Sequence, residues 1–385
     1  MSLIGLTCSA FIFNTSEFIP IGLLTDIARD FAVTDTKAGM LISVYAFAVM
    51  ILSLPLMILV SRFELKKLIS FVILVFAVFQ ISSAMSTSYI MLMISRIGVA
   101  CSHAIFWSIV SPLAVRTVPN QFKNVALSMI ATGTSIAMIF GLPIGRIIGL
   151  QIGWRMTFLY IGIFAFALIV YLLAVLPIVP SRGNFSLHKL PMLVKRPALS
   201  HLFVLSFAFA TSYYTGYSYI EPFLKQIASM PNSWITVTLM IFGGMGILGS
   251  LCFSKFYSAN PFRFMSIALL SLCGCLTLLH VSSFHSVTII LLCALWGMTF
   301  TASNITLQAD TINYSPLDAT AVSTSIFSGL TNLGIACGTY IGGAVYTHLS
   351  LSVIGYAGGI LALLTYFYWI KRVIPAMKDE QSAVQ

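Results

Sequence analysis

The chain has 385 residues, 59% of them hydrophobic and 8% charged, whereas soluble globular proteins carry roughly 25% charged residues. A water-soluble fold is excluded. The formal charge of +10 comes without a basic stripe or a polar domain that would hold nucleic acid, so no nucleic-acid partner is expected and the basic excess reads as a topology signal.

At about 20 apolar residues per helical crossing, the length leaves room for about a dozen spans. The window at 2–24 follows Met1 without a basic flank or a small-residue cleavage site and runs on to Glu17 and Pro20, so it reads as a span and not a signal peptide. Whether a few residues precede Met1 stays open. Apolar windows follow at 38–60, 67–86, 90–114, 123–146 and 157–178, and again at 199–221, 232–254, 262–281, 286–309, 319–346 and 351–372. The expected fold is an all-α membrane protein of twelve transmembrane helices in two six-helix bundles. The bundles are 1–178 and 199–373, with a basic linker at 179–198 and a tail at 374–385.

The even-numbered turns and the C-terminus collect Arg62, Lys66, Lys67, Arg116, Lys123, Arg182, Lys189, Lys195, Arg196, Lys255, Arg263, Lys371, Arg372 and Lys378. The opposite side collects Arg29, Lys37, Arg146, Arg155 and Lys225. Under the positive-inside rule both termini and the linker are cytoplasmic. The turn at Asp310 to Asp318 is acidic, but acids weigh little in that rule. Two sixfold sets of this kind point to a secondary transporter whose halves are related by an axis along the membrane normal, with the site between them. The fifth window carries Gly133, Gly141, Pro143 and Gly145, and the eleventh carries Gly334, Gly338, Gly342 and Gly343. Small residues so placed let helices approach closely.

A charge inside a span costs about 2.5–3.5 kcal/mol on insertion scales, so each needs a partner or a task. The candidates are Glu17, Arg96, His103 and Glu221. At 1.5 Å per residue, Glu17 and Arg96 lie about 6 Å and about 9 Å to the outer side of their spans' middles, and His103 lies near the midplane. Arg96, His103 and Trp107 share one helical face, and Asn14 shares a face with Glu17. In the functional reading Glu17 carries protons, assisted by Arg96, and His103 changes charge near neutral pH. In the structural reading Glu17 and Arg96 lock two helices and His103 satisfies a backbone carbonyl.

Tyr213, Tyr217 and Glu221 recur every four residues in the seventh window. In one reading this face lines a cavity; the alternative, an interfacial belt, applies to Tyr219 and Glu221 near the end of the span, whereas Tyr213 and Tyr217 lie deeper. Asn304, Gln308 and Asn332 add amides that both donate and accept, either for a substrate or as helix glue. With Trp107 as a flat platform, the set suits a small neutral polyol.

No enzyme motif is present: there is no HExxH, G-x-S-x-G or phosphate loop. Channel filters and charged rings are likewise missing. The seven cysteines show no metal-ligand spacing, so neither a metal nor another cofactor is expected.

Several stretches together resemble the bacterial sugar efflux transporters in the drug:H+ antiporter branch of the major facilitator superfamily. They are FIFNTSEFIPIGLL (11–24), ISRIGVACSHAIFWSI (94–109), LSMIATGTSIAMIFGLPIGRIIG (127–149), GWRMTF (153–158) and YSYIEPF (217–223). The resemblance covers the whole chain. It implies the major facilitator fold in the bacterial inner membrane, a monomer, and proton-coupled export of arabinose, thiogalactosides and related sugars. It places Glu17, His103 and Asn332 at motif positions of a central cavity. Gly141, Pro143 and Gly145 resemble the antiporter signature, with Leu142 where a glycine is usual. SRFELKK (61–67) resembles the superfamily's D-R-x-G-R-R/K turn, with Arg62 matching its arginine and Ser61 its acid. The nearest rival function is multidrug or nucleoside export on the same scaffold; a non-transporting receptor is a rival of another class.

Overall fold

The computed structural model describes residues 1–60, 63–119, 122–179, 195–316 and 320–384, and among them all regular structure is helical. Arg62 and most of the expected linker lie outside the described residues. The chain divides into two units, Met1–Phe185 and Ser186–Gln385.

In the first unit the helices are α1 (Ser2–Gly22), α2 (Leu24–Asp30), α3 (Asp35–Val60), α4 (Leu65–Ala84), α5 (Tyr89–Arg116), α6 (Lys123–Ile136), α7 (Leu142–Ile152) and α8 (Trp154–Val175). In the second they are α9 (Pro197–Tyr217), α10 (Asn232–Phe256), α11 (Pro261–Thr277), α12 (Ser286–Asn313), α13 (Thr320–His348), α14 (Ile354–Tyr368) and α15 (Ile374–Val384).

Among the described residues nine helices are long and apolar enough to cross a membrane. The windows predicted at 199–221, 262–281 and 319–346 also fold as helix, in α9, α11 and α13, but fall outside that set. Hydroxyls, tyrosines and His201 dilute α9, polar side chains dilute α13, and α11 has 17 residues.

Prolines explain where the helices change pitch. A proline ring lacks the N–H and crowds the carbonyl four residues back, so the local turn widens. Five-residue π turns stand just before Pro143 (Ala137–Gly141) and Pro375 (Trp369–Val373), as this predicts; a third follows Pro222 (Phe223–Ile227), where the crowded carbonyl lies outside the turn. Pro20 lies in the last turn of α1, which stops at Gly22 before α2 begins. The segment 374–385, expected as a tail, is helical through Val384, with Met377 buried against its bundle.

The units repeat one internal pattern. In the first, α1 packs on α6, α3 on α5, and α4 on both α5 and α8; in the second, α9 packs on α13, α10 on α12, and α11 on both α12 and α14. Lipid supplies no hydrophobic force to drive helices together, so close backbone approach has to do so. The glycines of the fifth and eleventh windows provide it. A Cβ added at Gly133 would lie 2.5 Å from the Thr7 carbonyl oxygen, and one at Gly338 would lie 2.5 Å from that of Thr211.

Gly338→Ala should therefore lower stability in detergent by about 1–3 kcal/mol through overpacking. Gly329→Ala, on the same helix with nothing within 4 Å of the added carbon, should be neutral or slightly stabilising. Thermal unfolding of the two variants checks the seam.

Candidate functional site

The polar centre of the first unit is assembled by α1, α3, α4 and α5. Ser16 and Glu17 interrupt the apolar run of α1, Tyr45 comes from α3, Gln80 from α4, and Arg96, His103 and Trp107 from one face of α5. The Glu17 carboxylate stands 3.6 Å from His103 Nε2, with both side chains nearly enclosed. That is an ion-pair distance when the ring is protonated, and too long for a hydrogen bond.

Arg96 is 1% exposed. Its Nη1 donates to Ser16 Oγ at 3.1 Å, and the amide of Gln80 donates to the same oxygen. The guanidinium lies over the Tyr45 ring at 4.5 Å and the Phe158 ring at 5.7 Å. Nε and Nη2 of Arg96, Nδ1 of His103 and the Tyr45 hydroxyl are buried without a hydrogen-bond partner. His103 meets Tyr45 edge-on at 5.6 Å and Trp107 at 6.0 Å, while Phe13 stacks between Phe76 and Phe106 behind it.

The purely structural expectation for Arg96, a direct pair with Glu17, is not what this geometry gives: the guanidinium turns to Ser16 and to aromatic faces. Nor does His103 spend Nδ1 on a carbonyl. Asn14 does act as helix glue, since its amide donates to the Thr134 carbonyl at 3.3 Å, joining α1 to α6.

In the second unit Tyr213 and Tyr217 are buried in an aromatic cluster. Tyr213 stacks on Phe300 at 4.1 Å and on Tyr217 at 4.9 Å, Tyr217 stacks on Phe242 at 4.9 Å, and Trp296 stands edge-on to three of these four rings, Tyr213, Tyr217 and Phe242. Tyr219, the belt candidate, is buried as well, and its hydroxyl donates to the Thr339 carbonyl at 3.2 Å. Asn332 donates to Ser328 on its own helix at 3.0 Å and keeps an unpartnered Oδ1. Asn304 is half-buried and Gln308 is exposed. Glu221 is buried with Lys225 at 3.9 Å.

Gly141 and Gly145 face Thr15 and Ile19 of α1, and Pro143 is buried at the start of α7. Arg146, counted above with the turn bases, is instead fully buried inside α7, and its guanidinium donates to the Gly22 carbonyl where α1 stops. Helix α7 runs on to Ile152, so the apolar window ended one turn and a half too early. Arg155 of the GWRMTF stretch pairs with Asp30 and donates to the Ser86 carbonyl at 3.0 Å, which clamps the ends of α2 and α4 to α8. Gly153 starts that corner at φ 97°, a conformation open to glycine.

Sequence reasoning missed Ser16, Tyr45, Gln80, Arg146 and Trp296. Ser16 and Gln80 had a signal in their polarity within apolar windows; Tyr45 and Trp296 had none, because a buried aromatic in a span is ordinary.

A family model described as Major Facilitator Superfamily matches residues 6–328. The chain belongs to the Major Facilitator Superfamily. Solved structures agree in fold. The nucleoside transporter NupG is 15% identical with a TM-score of 0.80, over 96% of this chain and 98% of that one. A bacterial homolog of the human lysosomal transporter Spinster, inward-facing and unoccupied, is 14% identical with a TM-score of 0.78, over 98% and 97%. The human organic anion transporter MFSD10 (TETRAN) is 12% identical with a TM-score of 0.70, over 96% and 97%. As a member of this superfamily the chain is a lipid-embedded, multi-pass transporter of small molecules and not an enzyme.

Ser16→Ala would strip two buried donors, on Arg96 and Gln80, of their common acceptor. The expected loss is about 1–3 kcal/mol for each group left unsatisfied, measured as a lower melting temperature in detergent.

Proposed function

We propose that this superfamily member exports small sugars from the bacterial cytoplasm in exchange for protons, by alternating access. In this reading it works as a monomer with twelve crossings of the inner membrane and both termini cytoplasmic. The observation that carries the reading is the approach of Glu17 to His103 within 3.6 Å beside the half-buried ring of Trp107. A carboxyl that exchanges a proton, an imidazole with one free nitrogen and a flat apolar face together match the edges and face of a sugar ring.

Glu17 is the proton carrier, with His103 and Arg96 coupled to it. Ionised Glu17 accepts from sugar hydroxyls, and protonation from outside weakens that grip, so sugar leaves and a proton enters. Each 100 mV of proton-motive force supplies about 2.3 kcal/mol per proton, enough for roughly a fifty-fold gradient of a neutral solute. Asn14, Trp107, Tyr213, Tyr217, Asn332, Asn304 and Gln308 complete the proposed substrate set. The bond from Asn14 to Thr134 supports a positioning role for it as well. Gly141, Pro143 and Gly145, at the π turn that ends α6 and in the first turn of α7, and Arg62 serve the conformational change.

A second reading, nucleoside or multidrug export, is favoured by the same ring of Trp107, which stacks a base or a lipophilic cation as well as a sugar. A thermal-shift panel of pentoses, thiogalactosides, purine nucleosides and cationic dyes separates the two: stabilisation by nucleosides or dyes alone replaces the sugar assignment.

Glu17→Gln should abolish pH-driven sugar export in inverted vesicles while largely sparing sugar exchange without a gradient. Full pH-driven export by that variant would remove Glu17 from the coupling step. His103→Ala should weaken sugar binding about tenfold or more, as expected for a lost polar contact with a substrate, and calorimetric titration of the purified protein measures it.

A further inference from the structure

At the end of the second unit that carries its C-terminus, an open groove of about 460 Å³ lies between the start of α9 and the join of α14 to α15. A hydrogen bond of 2.7 Å between His201 Nδ1 and the Tyr368 hydroxyl holds its two walls together. The join is the π turn Trp369–Val373. Trp369 and Val373 point inward and are fully buried, and Trp369 Nε1 donates to Ser266 Oγ at 2.9 Å. The residues between these anchors are turned outward, so Ile370, Lys371 and Arg372 are all exposed. Lys371 and Arg372 line the groove.

The charge at this end does not cancel. Of its three acids among the described residues, Glu380 is paired with Arg196 at 3.4 Å and Asp310 accepts from the Tyr257 hydroxyl. Asp379 is left, and it shares the groove with both Lys371 and Arg372. Lys195, Lys255, Arg263 and Lys378 add exposed positive charge at the same end.

An apolar track leads up to the groove. Ile360, Leu364, Phe367 and Lys371 recur at steps of four, three and four residues, hence along one helical face. The first three are 61%, 60% and 47% exposed, and the Lys371 ammonium lies over the Phe367 ring at 6.0 Å. On a lipid-embedded helix such a stripe is a surface for acyl chains, and a base at its head, with its stem along that surface, stands at the level of the headgroups. The occupant that fits carries negative charge at one end and hydrocarbon at the other.

We propose that the groove binds the phosphate of an anionic membrane phospholipid, with Lys371 and Arg372 as its cations and the acyl chains laid along Phe367, Leu364 and Ile360. Basic pockets between helices at a membrane surface suit such headgroups. The site shares no residue with the one assigned to sugar and proton, and it does not depend on which solute is carried.

The test uses the full-length protein in detergent, stripped of lipid and titrated at constant ionic strength with dioleoylphosphatidylglycerol, with dioleoylphosphatidylcholine and with glycerol 3-phosphate. Phosphatidylglycerol should raise the melting temperature saturably, and the zwitterionic lipid and the soluble phosphate should not. The double variant Lys371→Gln/Arg372→Gln should weaken the apparent affinity for phosphatidylglycerol about tenfold or more, from the loss of two bases beside the headgroup. Lys255→Gln/Arg263→Gln, which removes the same charge elsewhere at that end, should leave it unchanged. No saturable response, equal responses to the two lipids, or an affinity that survives Lys371→Gln/Arg372→Gln overturns the proposal. An equal loss in both double variants also overturns it, by reducing the effect to diffuse surface charge, and so does saturation by glycerol 3-phosphate, which would make this a site for free phosphate. If the first double variant does not fold, Lys371→Gln, at the exposed head of the stripe, decides alone.

Discussion

A guanidinium carried into the apolar interior of the first unit sets the terms for the helices around it. An isolated buried cation is prohibitively costly, and Arg96 is stabilised by a serine oxygen from α1, by the ring of Tyr45 from α3 and by the ring of Phe158 from α8. Gln80 from α4 shares the serine. One charge thus fixes the rotation of α1, α3, α4 and α8 about α5, and in doing so holds Glu17, the neighbour of Ser16, opposite His103. The packing of a whole bundle and the geometry of its titratable pair come from the same contact.

The two units use one helix-pairing scheme for different chemistry. In both, a glycine-lined helix lies against the first helix of its set, α6 against α1 and α13 against α9. The first unit puts an acid, an imidazole and a guanidinium at its centre; the second puts stacked aromatic rings there, with isolated polar atoms among them on Tyr213, Trp296 and Ser303. The second offers aromatic surface and hydrogen-bonding groups, with no carboxylate, imidazole or guanidinium among the stacked rings of its centre.

Prolines and buried arginines divide the mechanical work. A π turn before Pro143 joins α6 to α7, and Arg146, three residues after that proline, ties α7 back to the end of α1 through the Gly22 carbonyl. A cation at a helix C-terminus is favoured by the helix dipole, so the break in α1 is a stable feature and not a frayed end. Arg155 and Asp30 clamp the corner beyond it.

Composition and the spacing of apolar windows determined the all-helical membrane class and the division into two sets, because lipid forces every span to read as an apolar run and leaves each polar exception visible; the superfamily was legible only in the resemblance of particular stretches such as 11–24 and 127–149. Glu17, Arg96 and His103 were legible as such exceptions, and the paired glycines of the fifth and eleventh windows were legible as helix seams. Partnership was not legible. Face and depth along two helices do not say which side chains meet. Only the packed bundle turned Arg96 to Ser16 and Tyr45, spent Asn14 on Thr134, buried Arg146 within α7 and drew Trp296 against Tyr213. Those outcomes depend on helix rotation and rotamer choice among several near neighbours, and rotation is settled by the sum of many side-chain contacts that no single stretch of sequence contains.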